Sequence, residues 1–448
     1  MAETYDLILK NGEAMTPSGR ARCDIAVKDG KIAGLGSFAK EDAGEVFDAS
    51  GLTILPGVID TQVHFREPGL EHKEDLESGT RAAALGGVTA VFEMPNTNPN
   101  TLDAAALETK LSRARGRAWT DHAFFLGAAA ENAEALGELE WLPGCCGVKI
   151  FMGSSTGSLL VQDDETLLRV LQGGLRRCSV HCEDEYRLEA RRSYSEAGNG
   201  PEDHPVWRDA ETARVATERL LHLARRAGRR VHVLHVTTAE EVALLARNKD
   251  IATCEVTPQH LTLAAPDCYR ELGTYAQMNP PIREGRHRDG LWEGVRQGVF
   301  DVVGSDHAPH TKEEKAKPYP GSPSGMPGVQ TLLPLLLDHC AKGQLTLERV
   351  VDLTSAGAQR IFNIAGKGRI AQGYDADFTV VDLKAEREIT GDWLASKCGW
   401  SPFEGKTVTG WPKATIIRGR MVVRDDELQD HAIGKPVRFQ DTLSPEVA

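Results

Sequence analysis

Eight short apolar runs, most ending in polar or reactive residues and followed by helix-forming sequence, restrict what this chain can fold into. They lie at 54–64, 88–94, 122–126, 147–151, 178–182, 231–236, 251–256 and 301–305. Stretches such as 76–85 and 210–227, the latter rich in Ala, Arg, Glu and Leu, read as the intervening helices. Strand–helix alternation sustained over about 310 residues predicts an α/β fold, a (β/α)8 TIM-type barrel. In such barrels the chemistry collects at the C-terminal strand ends, which is where the reactive residues of these runs fall.

The two chain ends have a different texture. Residues 5–55 read as short strands punctuated by Asn11-Gly12 and Asp29-Gly30, dipeptides that favour tight hairpins. Residues 377–382 and 414–419 repeat the style. Together they predict a small composite β-sandwich, with residues 1–55 contributing one portion and residues 365–448, including a C-terminal tail, the other. The barrel between them spans 56–364. The segment 311–324, rich in Lys, Glu, Pro and Gly, is read either as a lid or as a plain surface loop. A chain of 448 residues is too long for one ordinary core, which suits a barrel with a satellite domain.

Composition excludes several function classes. The 65 acidic and 52 basic residues give a formal charge of −13, which argues against nucleic acid as a partner and leaves room for a local basic pocket. No run approaches the length of a membrane span, and residues 1–6 lack the features of a secretory signal, so no membrane partner is expected. Nine cysteines, an odd number without a C-x-x-C pair, are read as reduced thiols of a cytoplasmic protein.

The strand ends supply His64, Lys149, His181, His235 and Asp306. A single strand histidine is more often a structural hydrogen-bonding group than a ligand. Five such groups at one end of a barrel are hard to explain that way, and neutral imidazoles with a carboxylate suit zinc, which lowers the pKa of a bound water towards about 7. If 54–64 is extended, Asp60, Gln62, His64 and Arg66 share one face, setting an imidazole beside a guanidinium. That combination suits a metal next to an anionic substrate. Lys149 sits inside an apolar strand and has two open readings. One is an ion pair with a barrel carboxylate; the other is a neutral amine that adds carbon dioxide to form a metal-bridging carbamate. Asp306 can take a proton from water and pass it to a leaving nitrogen, or simply cap the helix after it. Arg66, Asn96 and His310 form a candidate anion-binding set, although the segment around Asn96 also reads as a turn.

These residues resemble the amidohydrolase superfamily, specifically its cyclic amidase branch of dihydroorotases, allantoinases and hydantoinases. The resemblance runs from Leu55-Pro56-Gly57-Val58-Ile59-Asp60 to Ala371-Gln372-Gly373-Tyr374-Asp375-Ala376-Asp377. Within the branch, several motifs look most like dihydroorotase: His64-Phe65-Arg66-Glu67-Pro68-Gly69, Met94-Pro95-Asn96-Thr97, Met278-Asn279-Pro280-Pro281-Ile282-Arg283, Ser305-Asp306-His307-Ala308-Pro309-His310 and Ser324-Gly325-Met326-Pro327-Gly328. The resemblance implies zinc held by His64, carboxylated Lys149, His181, His235 and Asp306. It further implies that Arg66, Asn96 and His310 grip a substrate carboxylate, while Asn279 and the backbone near Gly325 contact a pyrimidine ring. The implied reaction is reversible interconversion of N-carbamoyl-L-aspartate and L-dihydroorotate in pyrimidine biosynthesis, by attack of metal-generated hydroxide with Asp306 as base and then acid.

One residue departs from the pattern. Gln62 stands where the family usually has the first histidine of an H-x-H pair. An amide oxygen is a weaker zinc ligand than imidazole, so one tight zinc is expected, with the second position weak or absent. The departure also keeps two alternatives open: another cyclic amidase of the allantoinase or hydantoinase type, and a non-catalytic partner of aspartate transcarbamoylase. A homo-oligomer and an association with that transcarbamoylase are further expectations of the resemblance.

Overall fold

In the computed structural model, which describes residues 5–155 and 157–443, eight parallel strands stand side by side in chain order. They are β1 (Val58–Val63), β2 (Val88–Glu93), β3 (Asp121–Gly127), β4 (Cys145–Phe151), β5 (Cys178–His181), β6 (Val231–Val233), β7 (Ala252–Val256) and β8 (Val302–Val303). Every residue of these strands is buried, as strands covered on both faces must be. The edges meet where Val63 bridges His307 and the His64 N–H donates to the His307 carbonyl at 2.7 Å, which nearly closes the barrel.

A helix follows each strand, from Leu76–Leu85 after β1 to Leu332–Ala341 after β8. Their starts are written locally. Asp75, Asp103, Asp163, Asp209 and Thr238 each accept from a backbone N–H in the first turn, satisfying a donor that the helix itself cannot. The helix Ala210–Ala227 ends on Gly228, whose φ of 69° is the left-handed C-terminal cap that glycine favours.

Both chain ends build the outer layers. A seven-stranded sheet threads Phe378–Glu388 antiparallel to Thr53–Pro56, with Val380 opposite Ile54, and continues through Glu13–Thr16 to Gly19–Arg22. A four-stranded sheet contains Tyr5–Lys10, Asp24–Lys28, Lys31–Gly36 and Ala43–Asp48. The single strand expected at 54–64 is two strands, Thr53–Pro56 in the outer sheet and Val58–Val63 in the barrel. They part at Gly57, where a Cβ would lie 2.4 Å from the Thr89 hydroxyl, so the chain passes too close to β2 for any side chain.

Of the two expected hairpins, one forms. Asp29-Gly30, with φ of 50° and 73°, joins strands paired at Lys28 and Lys31. Asn11-Gly12 does not make a hairpin: Tyr5–Lys10 and Glu13–Thr16 enter different sheets. Gly12 is instead a corner, packed where a Cβ would lie 2.8 Å from the Ile54 side chain. All nine cysteines are free thiols, seven of them buried. Among the described residues no helix is long and apolar enough to cross a membrane.

Candidate active site

The strand order brings Gln62, His64, Arg66, Asn96, Lys149, His181, His235, Asn279 and Asp306 around one cavity at the C-terminal end of the barrel. Two expected residues stand behind its wall. His310 lies beyond Arg66, and the Gly325 N–H is already spent on the Gln277 carbonyl at 2.9 Å. The free volume is about 20 Å³, room for roughly one water. Asn279 Nδ2 donates to Ser155 Oγ at 3.4 Å across it, so a ring-sized substrate has to part these side chains.

His181 and His235 are set by hydrogen bonds that dictate which ring nitrogen is free. His181 Nε2 donates to Glu183 Oε2 at 3.0 Å, which leaves Nδ1 as a lone pair. Nδ1 faces His235 Nε2 at 3.1 Å. Two imidazole nitrogens bound to one zinc at about 2.0 Å would sit roughly 3.3 Å apart, so this spacing fits a shared metal. Burial lowers both imidazole pKa values, His235's well below the usual, which keeps them neutral as ligands must be. Burial also works to raise the Glu183 carboxyl, but Arg208, its Nη2 2.5 Å from Oε2, and His181 outweigh it and hold it well below the usual range. This carboxylate–histidine pair is the device that orients metal-binding imidazoles.

Lys149 stands in the same wall. Its Nζ makes no hydrogen bond or ion pair to the described residues and lies 4.4 Å from the Phe151 ring centroid. Burial pushes its pKa down to about 7, so much of the amine is neutral at physiological pH. Of the two readings left open by the sequence, the ion pair is not formed. Among the described residues no set of three His, Cys, Asp or Glu side chains gathers to hold a metal. Lys149 lies in the same wall as His181 and His235, and a neutral amine there is the form that can add carbon dioxide.

His64, Gln62 and Asp306 form a second group in the cavity wall. His64 Nδ1 contacts Asn96 Oδ1 at 2.8 Å, and its Nε2 faces Asp306 Oδ1 at 3.2 Å. Gln62 turns its amide nitrogen to the same Asp306 oxygen at 3.1 Å, and its own Oε1 is buried with no partner. Gln62 thus holds the carboxylate by donating to it, whereas a histidine here could offer a lone pair. Among the described residues no hydrogen bond reaches Asp306 Oδ2.

Arg66 is 1% exposed, and among the described residues no carboxylate forms an ion pair with it. Its Nε donates to the Pro309 carbonyl at 3.1 Å and its Nη2 lies 3.3 Å from His310 Nε2. Lys73 donates to His310 Nδ1 at 3.1 Å, which places the ring proton on Nε2, 3.0 Å from the Ser324 carbonyl. Burial, followed by the charge of Arg66, lowers the His310 pKa to about 3, so this imidazole is neutral. Arg66, His235 and Asp306 all sit in the left-handed region, with φ of 66°, 34° and 46°. Such conformations cost about 1–3 kcal/mol each and concentrate where function fixes a side chain.

Several residues of the site escaped the sequence reading. Glu183 and Arg208 orient His181; Phe151 and Ser155 line the cavity. Beneath it Glu255 is buried, and so is Asp60, which the sequence set on one face with Gln62, His64 and Arg66 but which accepts from the Ser305 N–H at 3.0 Å outside the cavity; burial raises their pKa values to about 8 and about 7. Glu183 had a signal: a carboxylate two residues beyond a strand-end histidine is a natural partner for the ring's second nitrogen.

Residues 179–422 match a model of the amidohydrolase family, and residues 51–139 a dihydro-orotase-like model. A dihydroorotase of Halobacterium salinarum is 39% identical over 92% of this chain and 95% of its own length. An allantoinase of Escherichia coli is 36% identical over 94% and 95%. Among solved structures, the L-hydantoinase (dihydropyrimidinase) of Arthrobacter aurescens superposes with a TM-score of 0.91 at 30% identity, covering 97% of this chain and all of that one. The barrel, the strand-end residues and these relatives agree: the chain belongs to the generally metal-dependent amidohydrolase family, in its cyclic amidase branch, and is a hydrolase of cyclic amides.

Proposed function

We propose that the chain is a zinc-dependent dihydroorotase, interconverting N-carbamoyl-L-aspartate and L-dihydroorotate. The observation that carries the choice of substrate is Arg66. A fully buried guanidinium without an ion-paired carboxylate is costly, and a substrate carboxylate relieves that cost with two parallel hydrogen bonds. Allantoin and hydantoins bring no carboxylate to it.

His181 and His235, with Lys149 as its carbamate, are the residues that would hold one tight zinc. His64 and Asp306 mark the second position, weakened by Gln62. A bound zinc supplies a Lewis acid for the amide carbonyl and lowers the pKa of water. Asp306 does the proton work: Oδ1 is pinned by Gln62, and Oδ2 is free to take the proton of the attacking water and hand it to the ring nitrogen. Arg66 and Asn96 fix the ring against rotation, an orientation effect of several kcal/mol.

The test is an assay of purified protein on dihydroorotate, allantoin and hydantoin, with zinc content measured on the same sample. The reading expects dihydroorotate turnover with about one zinc per chain. Preference for allantoin or hydantoin would move the protein to those activities. Inactivity on all three, with or without added zinc, would point to a non-catalytic partner.

A further inference from the structure

At the opposite end of the barrel, where the strands begin, arginines surround a second cavity of about 350 Å³. Arg177 immediately precedes β5 and Arg230 immediately precedes β6. Arg176 is 6% exposed: its Nη1 donates to the Glu140 and Cys145 carbonyls at 2.8 and 2.7 Å, while its Nη2 is buried with no partner. Arg177 donates to the Val231 carbonyl at 3.1 Å, and burial together with the charge of Arg230 lowers its pKa to about 10. Among the described residues none of these three guanidiniums has an ion-paired carboxylate. The one carboxylate in the cavity wall, Asp441, accepts from Asn363 at 2.6 Å instead.

In a chain of net charge −13, three guanidiniums without an ion-paired carboxylate around one cavity, beside Arg360, which pairs with Asp352 at 3.2 Å, mark a place shaped for an anion. The wall also has an apolar part. Trp141 lines it, and Leu175 at its rim is 76% exposed, the largest exposure among the large hydrophobic side chains of the described residues. A bare inorganic ion would leave that part untouched, while the volume lies within the range of small-molecule sites, about 300–1,000 Å³.

We infer that this cavity binds a phosphorylated small molecule with a flat apolar body, the chemical class of a nucleoside phosphate. The phosphate oxygens would meet the unpartnered Nη2 of Arg176, the remaining N–H donors of Arg177 and the guanidinium fork of Arg230. The body would lie on Trp141 and cover Leu175. The occupant sits at the foot of β4, β5 and β6, whose far ends carry Lys149, His181 and His235.

The experiment is calorimetric titration of the full-length protein with adenosine and uridine 5′-monophosphates, with adenosine, uridine and inorganic phosphate as separate arms. A nucleotide is expected to bind at about one site per chain, more weakly as salt is raised, and to lose about ten-fold or more in affinity in Arg230→Glu and in Arg177→Ala. Arg230 is exposed and makes no side-chain hydrogen bond to the described residues, so its variant should keep the wild-type melting temperature. Arg66→Lys, at the other end of the barrel, should leave nucleotide affinity unchanged. Absence of nucleotide binding, or equal affinity in wild type and Arg230→Glu, overturns the assignment. Inorganic phosphate binding as tightly as the nucleotides removes the apolar body from it, and the unphosphorylated nucleosides binding as tightly removes the phosphate.

Discussion

Gln62 and Asp306 meet over a hydrogen bond of 3.1 Å, and that contact decides what Gln62 offers to the second zinc position proposed above. The amide donates where an imidazole would offer a lone pair, so on the proposed reading the position has His64 and Asp306 and no imidazole from residue 62. Replacing Gln62 by His restores a lone pair there. We expect Gln62→His to raise zinc content from about one to about two per chain after dialysis, read by elemental analysis independently of activity. An unchanged metal content would show that Gln62 is not what limits that position. Arg66 has the opposite character, a buried donor with no ion-paired carboxylate among the described residues. Arg66→Lys keeps the charge but loses the planar fork, so KM for dihydroorotate should rise about ten-fold or more with a smaller change in kcat. Equal KM values would remove Arg66 from the carboxylate site. Asp306→Asn keeps size but cannot take a proton, and should nearly abolish turnover while dihydroorotate binding stays measurable by titration.

Single elements show what could be read from sequence and what could not. The eight barrel strands were legible because their apolar runs are short, bounded and separated by helix-forming stretches. The strand-end residues were legible because five reactive groups recur at the same relative place. The break at Gly57 was not, since it comes from a close approach of Thr89, more than thirty residues away. Nor was the corner at Asn11-Gly12, where packing against Ile54 overrides a dipeptide that favours hairpins. The 311–324 segment shows the same limit. Its composition suggests mobility, yet Thr311 caps Lys312–Lys315 and the Lys315 Nζ is buried against the Gln277 and Pro323 carbonyls at 3.2 and 2.9 Å. The element that carries Asn96 rests on another buried contact. Glu93 ends β2, and Lys110 of the helix Ala104–Ala114 pairs with it, both 1% exposed. Burial raises the Glu93 pKa to about 7 even with that partner. Lys110→Met should therefore cost about 3–5 kcal/mol in chemical denaturation, because it strands a buried carboxyl. Glu93→Gln in the same background should recover part of the loss; no recovery would mean that packing, not charge, holds the pair.

At the scale of the whole molecule, the barrel and the outer sheet are joined by a buried charge cluster. Lys367 reaches Asp121 of β3 at 2.6 Å, and Asp377 and Asp375 beside the strand Phe378–Glu388 at 2.6 and 3.1 Å. Arg418 also pairs with Asp121. Burial disfavours the Lys367 ammonium, but the three carboxylates outweigh it and raise its pKa above the ordinary lysine value. Its contribution is therefore complete below about pH 10, the unfolded value, and is lost only as pH climbs through the folded one. Asp121 and Asp375 are held below the ordinary carboxylate range, where Lys367 and its neighbours overcome burial. Asp377 is pushed above it, because burial and the adjacent Asp121 and Asp375 prevail over Lys367. The first two stabilise the fold at neutral pH and lose that contribution as pH falls below about 4; Asp377 opposes them with the reverse sign. Lys367→Met removes the cation that three buried carboxylates share. It should cost about 3–5 kcal/mol at pH 7, seen as a lowered denaturation midpoint. The pH profile separates charge from lost packing. Without Lys367 the carboxylates favour their protonated forms, so the variant should regain stability between pH 7 and pH 5 while the wild type changes little. Parallel profiles for the two proteins would mean that the two layers are joined by packing, with the charge cluster contributing nothing measurable.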